Sequence, residues 1–211
     1  MISSAVSLMM KAGLIKSDLY WKIRYELALN SGEGSYGKPA MLKAEFINNF
    51  ISANRITTVM EFGCGDGNQL TLAHYPSYIG YDISQHAIMR CKEIFKNDNS
   101  KVFKTAVEYN GEQAECVLSL DVLYHLIEAD TWTNYIRTIF NAAQKYVIIY
   151  STDTDRQRLL QVGHVKHRNF SRFIAAEFSR WVLLQHATPS VSENTTRNRF
   201  TCSFFVFGCR N

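Results

Sequence analysis

Apolar positions recur at helical spacing from Asp18 to Leu29, where Leu19, Ile23 and Leu27 share a face beside Tyr20 and Trp21 and Asp18 stands as the cap. Asn30 to Lys38 (NSGEGSYGK) breaks the pattern with glycines. Pro39 opens a second helix that runs to about Asn54, with Met41, Phe46, Ile47 and Phe50 as its apolar side. From Thr57 the texture changes to short β-rich runs alternating with helices. Thr58–Phe62 and Tyr78–Tyr81 read as strands, the second ending at Asp82. Ser84–Phe95 reads as a helix capped by Ser84, and Val102–Lys104 as a weak strand. Cys116–Leu120 is a continuous apolar run, as a strand buried on both faces requires. Thr131–Ala143 is helical, Tyr146–Tyr150 (YVIIY) is a buried strand, and Trp181–Gln185 and Phe204–Phe207 are late strands.

Alternating strands and helices imply crossover connections, hence a mostly parallel, doubly wound α/β sheet. A polar, turn-rich stretch joins the last two strands, too poor in helix signal for a crossover. It predicts an antiparallel hairpin ending the sheet.

Composition adds exclusions. The chain has 211 residues, 46% hydrophobic and 20% charged, with 3 prolines, which suits one well-packed domain rather than disorder. A net charge of +4 comes from scattered basic residues, with no basic stripe of the kind that grips nucleic acid. Five cysteines, Cys64, Cys91, Cys116, Cys202 and Cys209, form no CxxC pair. Their odd number fits a reducing cytoplasm. The run Met1–Met10 carries no early positive charge and is not expected to be a signal peptide, and no segment is long enough to cross a bilayer.

The strongest signal is Val59–Leu70 (VMEFGCGDGNQL). A strand enters, the turn carries Gly63, Gly65 and Gly67, and a helix pattern follows. Such glycines allow a sharp turn and close approach of the backbone to a ligand. Twenty residues after Phe62, Asp82 ends the next strand, where an acid can accept hydrogen bonds from both ribose hydroxyls of a nucleoside. The spacing GxGxG, with Glu61 two residues ahead, departs from the GxGxxG of nicotinamide-binding proteins.

The run EFGCGDG resembles motif I of class I S-adenosylmethionine-dependent methyltransferases. The resemblance continues through YIGYDIS (78–84) and LSLDVLYHL (118–126). It implies a Rossmann-like fold with a seven-stranded sheet ending in the hairpin, and S-adenosyl-L-methionine as cofactor. Residues 1–211 would form one methyltransferase domain, with 1–54 a helical lid and 55–211 the core. Gly63 and Gly65 would lie against the cofactor's amino-acid part, with Glu61 close by through water or the backbone, and Asp82 would hold the ribose; Cys64, Ile83, Asp121 and Val122 would be further cofactor contacts. Val107 and Glu108 are the nearest candidates for the adenine. In similar small methyltransferases an N-terminal helix closes over the cofactor, so Tyr20 or Trp21 would cover the adenosyl group and Arg24 meet the methionyl carboxylate. Core packing of Tyr20 and Trp21 is the competing explanation. The NSGEGSYG and HVKHRNF textures also resemble small methyltransferases of sugar and surface-polysaccharide modification.

Asp121 ends an apolar strand, so topology alone brings it, Tyr124 and His125 to the ligand edge of the sheet. A hydroxyl acceptor must lose a proton, and His125 is the candidate base. It can equally stack on the cofactor or cap the loop. Gln161–Phe170 gathers His164, Lys166, His167 and Arg168, with His164 and His167 on one face if helical. His164, His167, Arg168, Tyr36 and Tyr124 are the candidate substrate contacts, suited to an anionic group; a solvated loop is the alternative. Asp121 and Asp153 imitate a catechol-type magnesium site, but Thr154 follows where Asn belongs, so no metal is expected. The expected acceptor is a small molecule or glycan, taken up by O-methylation, with N-methylation open. Partners are expected to include no nucleic acid and no membrane, and the oligomeric state stays open. A nicotinamide-dependent oxidoreductase and a cofactor-binding partner without activity are the alternatives from other classes.

Overall fold

The computed structural model describes residues 9–10, 14–159, 161–189 and 201–210. The early apolar run up to Leu8 and the stretch 190–200 between the last strands lie outside them. The element order is α1 (Ser17–Glu26), α2 (Gly37–Ala53), β1 (Thr58–Phe62), β2 (Ser77–Asp82), α3 (Gln85–Ile94), β3 (Lys101–Thr105), β4 (Ala114–Leu120), α4 (Ala129–Ala142), β5 (Ala143–Ser151), α5 (Phe170–Glu177), β6 (Trp181–Ala187) and β7 (Ser203–Cys209). The seven strands form one sheet in the order β3-β2-β1-β4-β5-β7-β6. β1 to β5 run parallel; β7 is antiparallel to both β5 and β6, which is the expected hairpin.

Alternation along the strands feeds a core on each face. Met60, Val117, Val147, Ile149, Phe205 and Phe207 point to α4 and α5, meeting Ile136, Phe140 and Phe170. Val59, Leu118, Ile148 and Val206 point the other way, meeting Ile47, Ile51 and Ile88 of α2 and α3. Burial on both faces explains why the central strands read as unbroken apolar runs.

Three local expectations are corrected. No α-helix follows the glycine loop: Gln69–Leu72 is a single 3-10 turn. Asn48 of α2 holds its exit, donating to Leu72 O and accepting from His74 N, both at 2.9 Å. Pro76 then keeps Tyr75 out of helical conformation. Asp18 does not cap α1. Lys16 holds the cap position, and the helix's first amide, from Ser17, is taken by Glu128 Oε1 at 2.9 Å, with Ser17 Oγ on Oε2 at 2.5 Å. Finally, α5 follows the basic segment unannounced. Asn169 caps it by accepting from Arg172 N, and Asp153 takes both Ser171 N and Ser171 Oγ.

Candidate cofactor and acceptor site

β1 to β5 deliver their carboxyl ends to one edge of the sheet. There β1 turns away through Gly63 at φ +87° and Gly65 at +60°, left-handed conformations that glycine adopts without cost. The Gly63 and Cys64 amides donate to Tyr81 O at 2.7 and 3.0 Å, which sews the loop to β2. A side chain on Gly63 would stand 2.5 Å from Val122, so only hydrogen fits between the ends of β1 and β4. Asp82 completes the seam, accepting from Gly65 N at 3.0 Å and Ser84 N at 2.9 Å. Burial pushes its carboxyl up to about 6, against the pull of those amides. Glu61 is 5% exposed and accepts from Tyr78 OH at 2.7 Å. Burial pushes it up to about 7, with the Tyr78 hydroxyl and the Lys43 ammonium pulling down.

The β4 end forms the next wall. Asp121 adopts φ +60°, and its amide donates to Tyr150 O at 3.0 Å. Its carboxylate accepts from Lys43 Nζ at 2.5 Å and from Tyr124 OH at 2.6 Å. His125 follows in a 3-10 turn, Leu123–His125. Its Nδ1 lies 2.9 Å from His164 O. A carbonyl can only accept, so Nδ1 carries the proton and Nε2 keeps a lone pair. Burial drives His125 down to about 4, so the ring is neutral at physiological pH. The ring stacks on His164 at 5.5 Å, and His164 stacks on Tyr20 at 4.7 Å. Trp21 meets His125 edge-on at 4.8 Å.

The N-terminal segment covers the glycine loop. Asp66 Oδ2 accepts from Ser31 N at 3.0 Å and Tyr36 OH at 2.6 Å, while Ser31 Oγ accepts from Asp66 N at 3.0 Å. Asn68 Nδ2 adds a bond to Ser35 O at 2.7 Å. Burial alone would raise the Asp66 carboxyl, but the bonds from Tyr36 and Ser31 outweigh it and hold it below the usual range. Between this N-terminal segment and the strand ends lies a cleft that, counting its open mouth, encloses about 910 Å³.

The structure sorts the expected residues. Trp21, Glu61, Gly63, Cys64, Gly65, Asp82, Ile83, Asp121, Val122 and His125 all line the cleft. Arg24 does not: its guanidinium donates to Asn30 O at 2.7 Å and lies over the Trp21 ring. Tyr20, Tyr36 and Tyr124 do not line it either: Tyr20 is buried against His164, Tyr36 donates to Asp66 beneath the N-terminal segment, and Tyr124 donates to Asp121, which does line it. His164 and His167 do not share a helical face, because Gln161–Asn169 is not helical. His167 pairs with Thr152 Oγ1 at 2.6 Å. Arg168 donates to Leu126 O and Ile127 O and lies over Trp132, so its charge is spent on the loop after His125. Of the two residues expected at the adenine, Val107 is 92% exposed and Glu108 accepts from Thr105; Ala106 lines the cleft instead. Asp153 is engaged by Ser171, and among the described residues no three His, Cys, Asp or Glu gather around a metal position.

Sequence reasoning missed Lys43, Gln69, Tyr25, Ser31, Tyr81 and Tyr135, which also line the cleft. Lys43 left a trace: a lone charge among Ala40, Ala44, Ile47 and Ile51 on the buried face of α2.

A methyltransferase-domain family model matches residues 30–187. No curated protein matches the chain in sequence. Among solved structures, the N-methyltransferase NodS from Bradyrhizobium japonicum with S-adenosyl-L-homocysteine superposes at TM-score 0.69 and 15% identity, covering 90% of this chain and 99% of that one. Magnesium protoporphyrin IX methyltransferase from Synechocystis with S-adenosylmethionine gives 0.64 and 14%, covering 93% and 98%. An S-adenosylmethionine-dependent methyltransferase from Clostridium acetobutylicum gives 0.61 and 11%, covering 91% and 98%. The family match over residues 30–187, on a sheet whose strand ends carry a glycine loop answered by Asp82, makes the chain a member of the methyltransferase domain family, an S-adenosylmethionine-dependent enzyme of class I.

Proposed function

We propose that the enzyme methylates an oxygen of a small polar acceptor, a sugar or glycan hydroxyl included, with His125 as general base. The observation that carries this reading is the His125–His164 bond, which presents a neutral imidazole with Nε2 free to take a proton. S-adenosylmethionine, when bound, supplies a methyl group already activated on sulfonium. The residues present fit it. The cradle at Gly63 has no room for a side chain, Asp82 stands at the β2 end for the ribose, and Ala106 after β3 leaves space for a base. The chain's remaining work is alignment, exclusion of water by the lid and proton removal from the acceptor. In this reading the segment up to Asn54 is the cap and 55–211 the core. The five free cysteines suit a cytoplasmic setting, and no helix among the described residues is long and apolar enough to cross a membrane. An amine acceptor arriving neutral would need no base. His125→Ala therefore separates the two: with a hydroxyl acceptor turnover collapses while cofactor affinity holds, and unchanged turnover refutes the base.

A further inference from the structure

The far end of the cleft holds polar atoms that the protein itself does not satisfy. Gln69 Nε2 donates to Ala40 O at 2.9 Å, which fixes the facing of the amide, since only nitrogen donates to a carbonyl. Its Oε1 is buried without a partner, and the residue, 9% exposed, lines the cleft. One turn along α2 from Ala40, the Lys43 side chain is 1% exposed and lines the same cleft. An ammonium carries three donors, and the structure gives this one a single hydrogen-bond acceptor, Asp121, with the Tyr150 ring 5.4 Å away. Taking such a charge out of water is costly, and the cost is met best when every donor is used.

Strand order says which part of a ligand arrives there. With Asp82 on β2 at the ribose and the base towards β3, the rest of the nucleoside's substituent runs across β1 to β4. Strands are spaced about 4.8 Å apart, so β3 and β4 end about 14 Å from one another, the reach of an adenosine with a short tail. There Asp121 follows β4, Lys43 of α2 bonds to it, and Gln69 is tied to α2 one turn away through Ala40; all three line the cleft.

We infer that Lys43 and Gln69 form a reader for a zwitterionic amino-acid group: Lys43 donates to the α-carboxylate and Gln69 Oε1 accepts from the α-ammonium, while Asp121 holds the lysine in place. This rests on the cofactor reading above and assigns the carboxylate contact to Lys43 rather than Arg24, whose guanidinium is engaged outside the cleft.

The test is calorimetry on the full chain with two ligands, S-adenosylhomocysteine and 5′-methylthioadenosine, which keeps the nucleoside and lacks the amino acid. Gln69→Leu and Lys43→Met are each expected to weaken S-adenosylhomocysteine by about tenfold or more and to leave methylthioadenosine within about twofold. Thermal melts establish that each variant is folded; if Lys43→Met is not, Lys43→Met with Asp121→Asn removes the pair together. Equal losses for both ligands, or unchanged affinity for S-adenosylhomocysteine, overturn the reader and leave the cofactor reading standing. A wild-type chain that binds neither ligand overturns both.

Discussion

His125 Nδ1 and the main-chain oxygen of His164 lie 2.9 Å apart, joining the turn after β4 to the loop before α5 across 39 positions of sequence. That bond sets tautomer and ring angle together. Replacing His125 by Ala should lower kcat by about 10²- to 10⁴-fold with a hydroxyl acceptor and leave the Kd for S-adenosylhomocysteine within a few-fold. Steady-state kinetics beside calorimetry check it; lost affinity with retained kcat would falsify the base and leave a stacking ring.

The pH profile follows from the same site. His125 is held at about 4, below its usual 6.5, so its neutral form contributes stability that is full above 6.5 and lost as pH falls through about 4. The kcat profile should therefore show its acid limb near pH 4–5 and run flat through 6–7. A midpoint at 6.5 that vanishes in His125→Ala would mean the ring is solvated rather than buried.

Glu61 shifts the other way. Its folded value of about 7 exceeds the ordinary 4.5, so its contribution to stability is full below 4.5 and lost as pH rises through 7. Glu61→Gln should stabilise the free protein by about 2–3 kcal/mol at pH 8 and by almost nothing at pH 4.5. Urea melts at the two pH values measure this. The same variant should bind the cationic cofactor less tightly; equal melts at both pH values would place the carboxyl in water.

Asp82 has a structural duty beside its proposed place at the ribose, since its oxygens hold Gly65 N and Ser84 N. Asp82→Ala strips both amides and should cost stability as well as affinity. Asp82→Asn keeps an acceptor and should fold, yet lose affinity for S-adenosylhomocysteine, because hydrogen bonds to a charged acceptor contribute about 1.5–3 kcal/mol each. Wild-type affinity in a folded Asp82→Asn would remove the ribose from this residue.

Asp66→Ala should unlatch the N-terminal segment proposed as a lid. Ser31 and Tyr36 lose their common acceptor, so proteolysis within Asn30–Gly37 should accelerate, and S-adenosylhomocysteine should slow it again if the lid closes on ligand. Identical cleavage of wild type and variant would mark the latch as incidental.

What the sequence reveals here is mostly local. Glu61, the three glycines and Asp82 follow one another through a strand, a turn and a strand, and spacing suffices to place them. Lys43 and Asp121 are 78 positions apart, and nothing in either neighbourhood announces the other. Arg168 looked available because its partners, the carbonyls of Leu126 and Ile127, have no side-chain signature. The missing helix after Gly67 has a similar cause. Asn48 on another element ends the turn, and propensity within Asn68–Tyr75 carries no record of it.

The position of β7 constrains assembly of the chain. It is made after β6, yet it lies between β5 and β6, and among the described residues β6 pairs with the sheet through β7 alone. During synthesis β1 to β5 can pair as they emerge, while β6 waits for a strand made after it. The nascent chain thus passes through an interval with two open edges, of β5 and β6, each able to recruit a foreign strand. Insertion of one late strand covers β5 and pairs one side of β6, which remains the outer strand of the sheet, so a stop before Ser203 forfeits two strands rather than one.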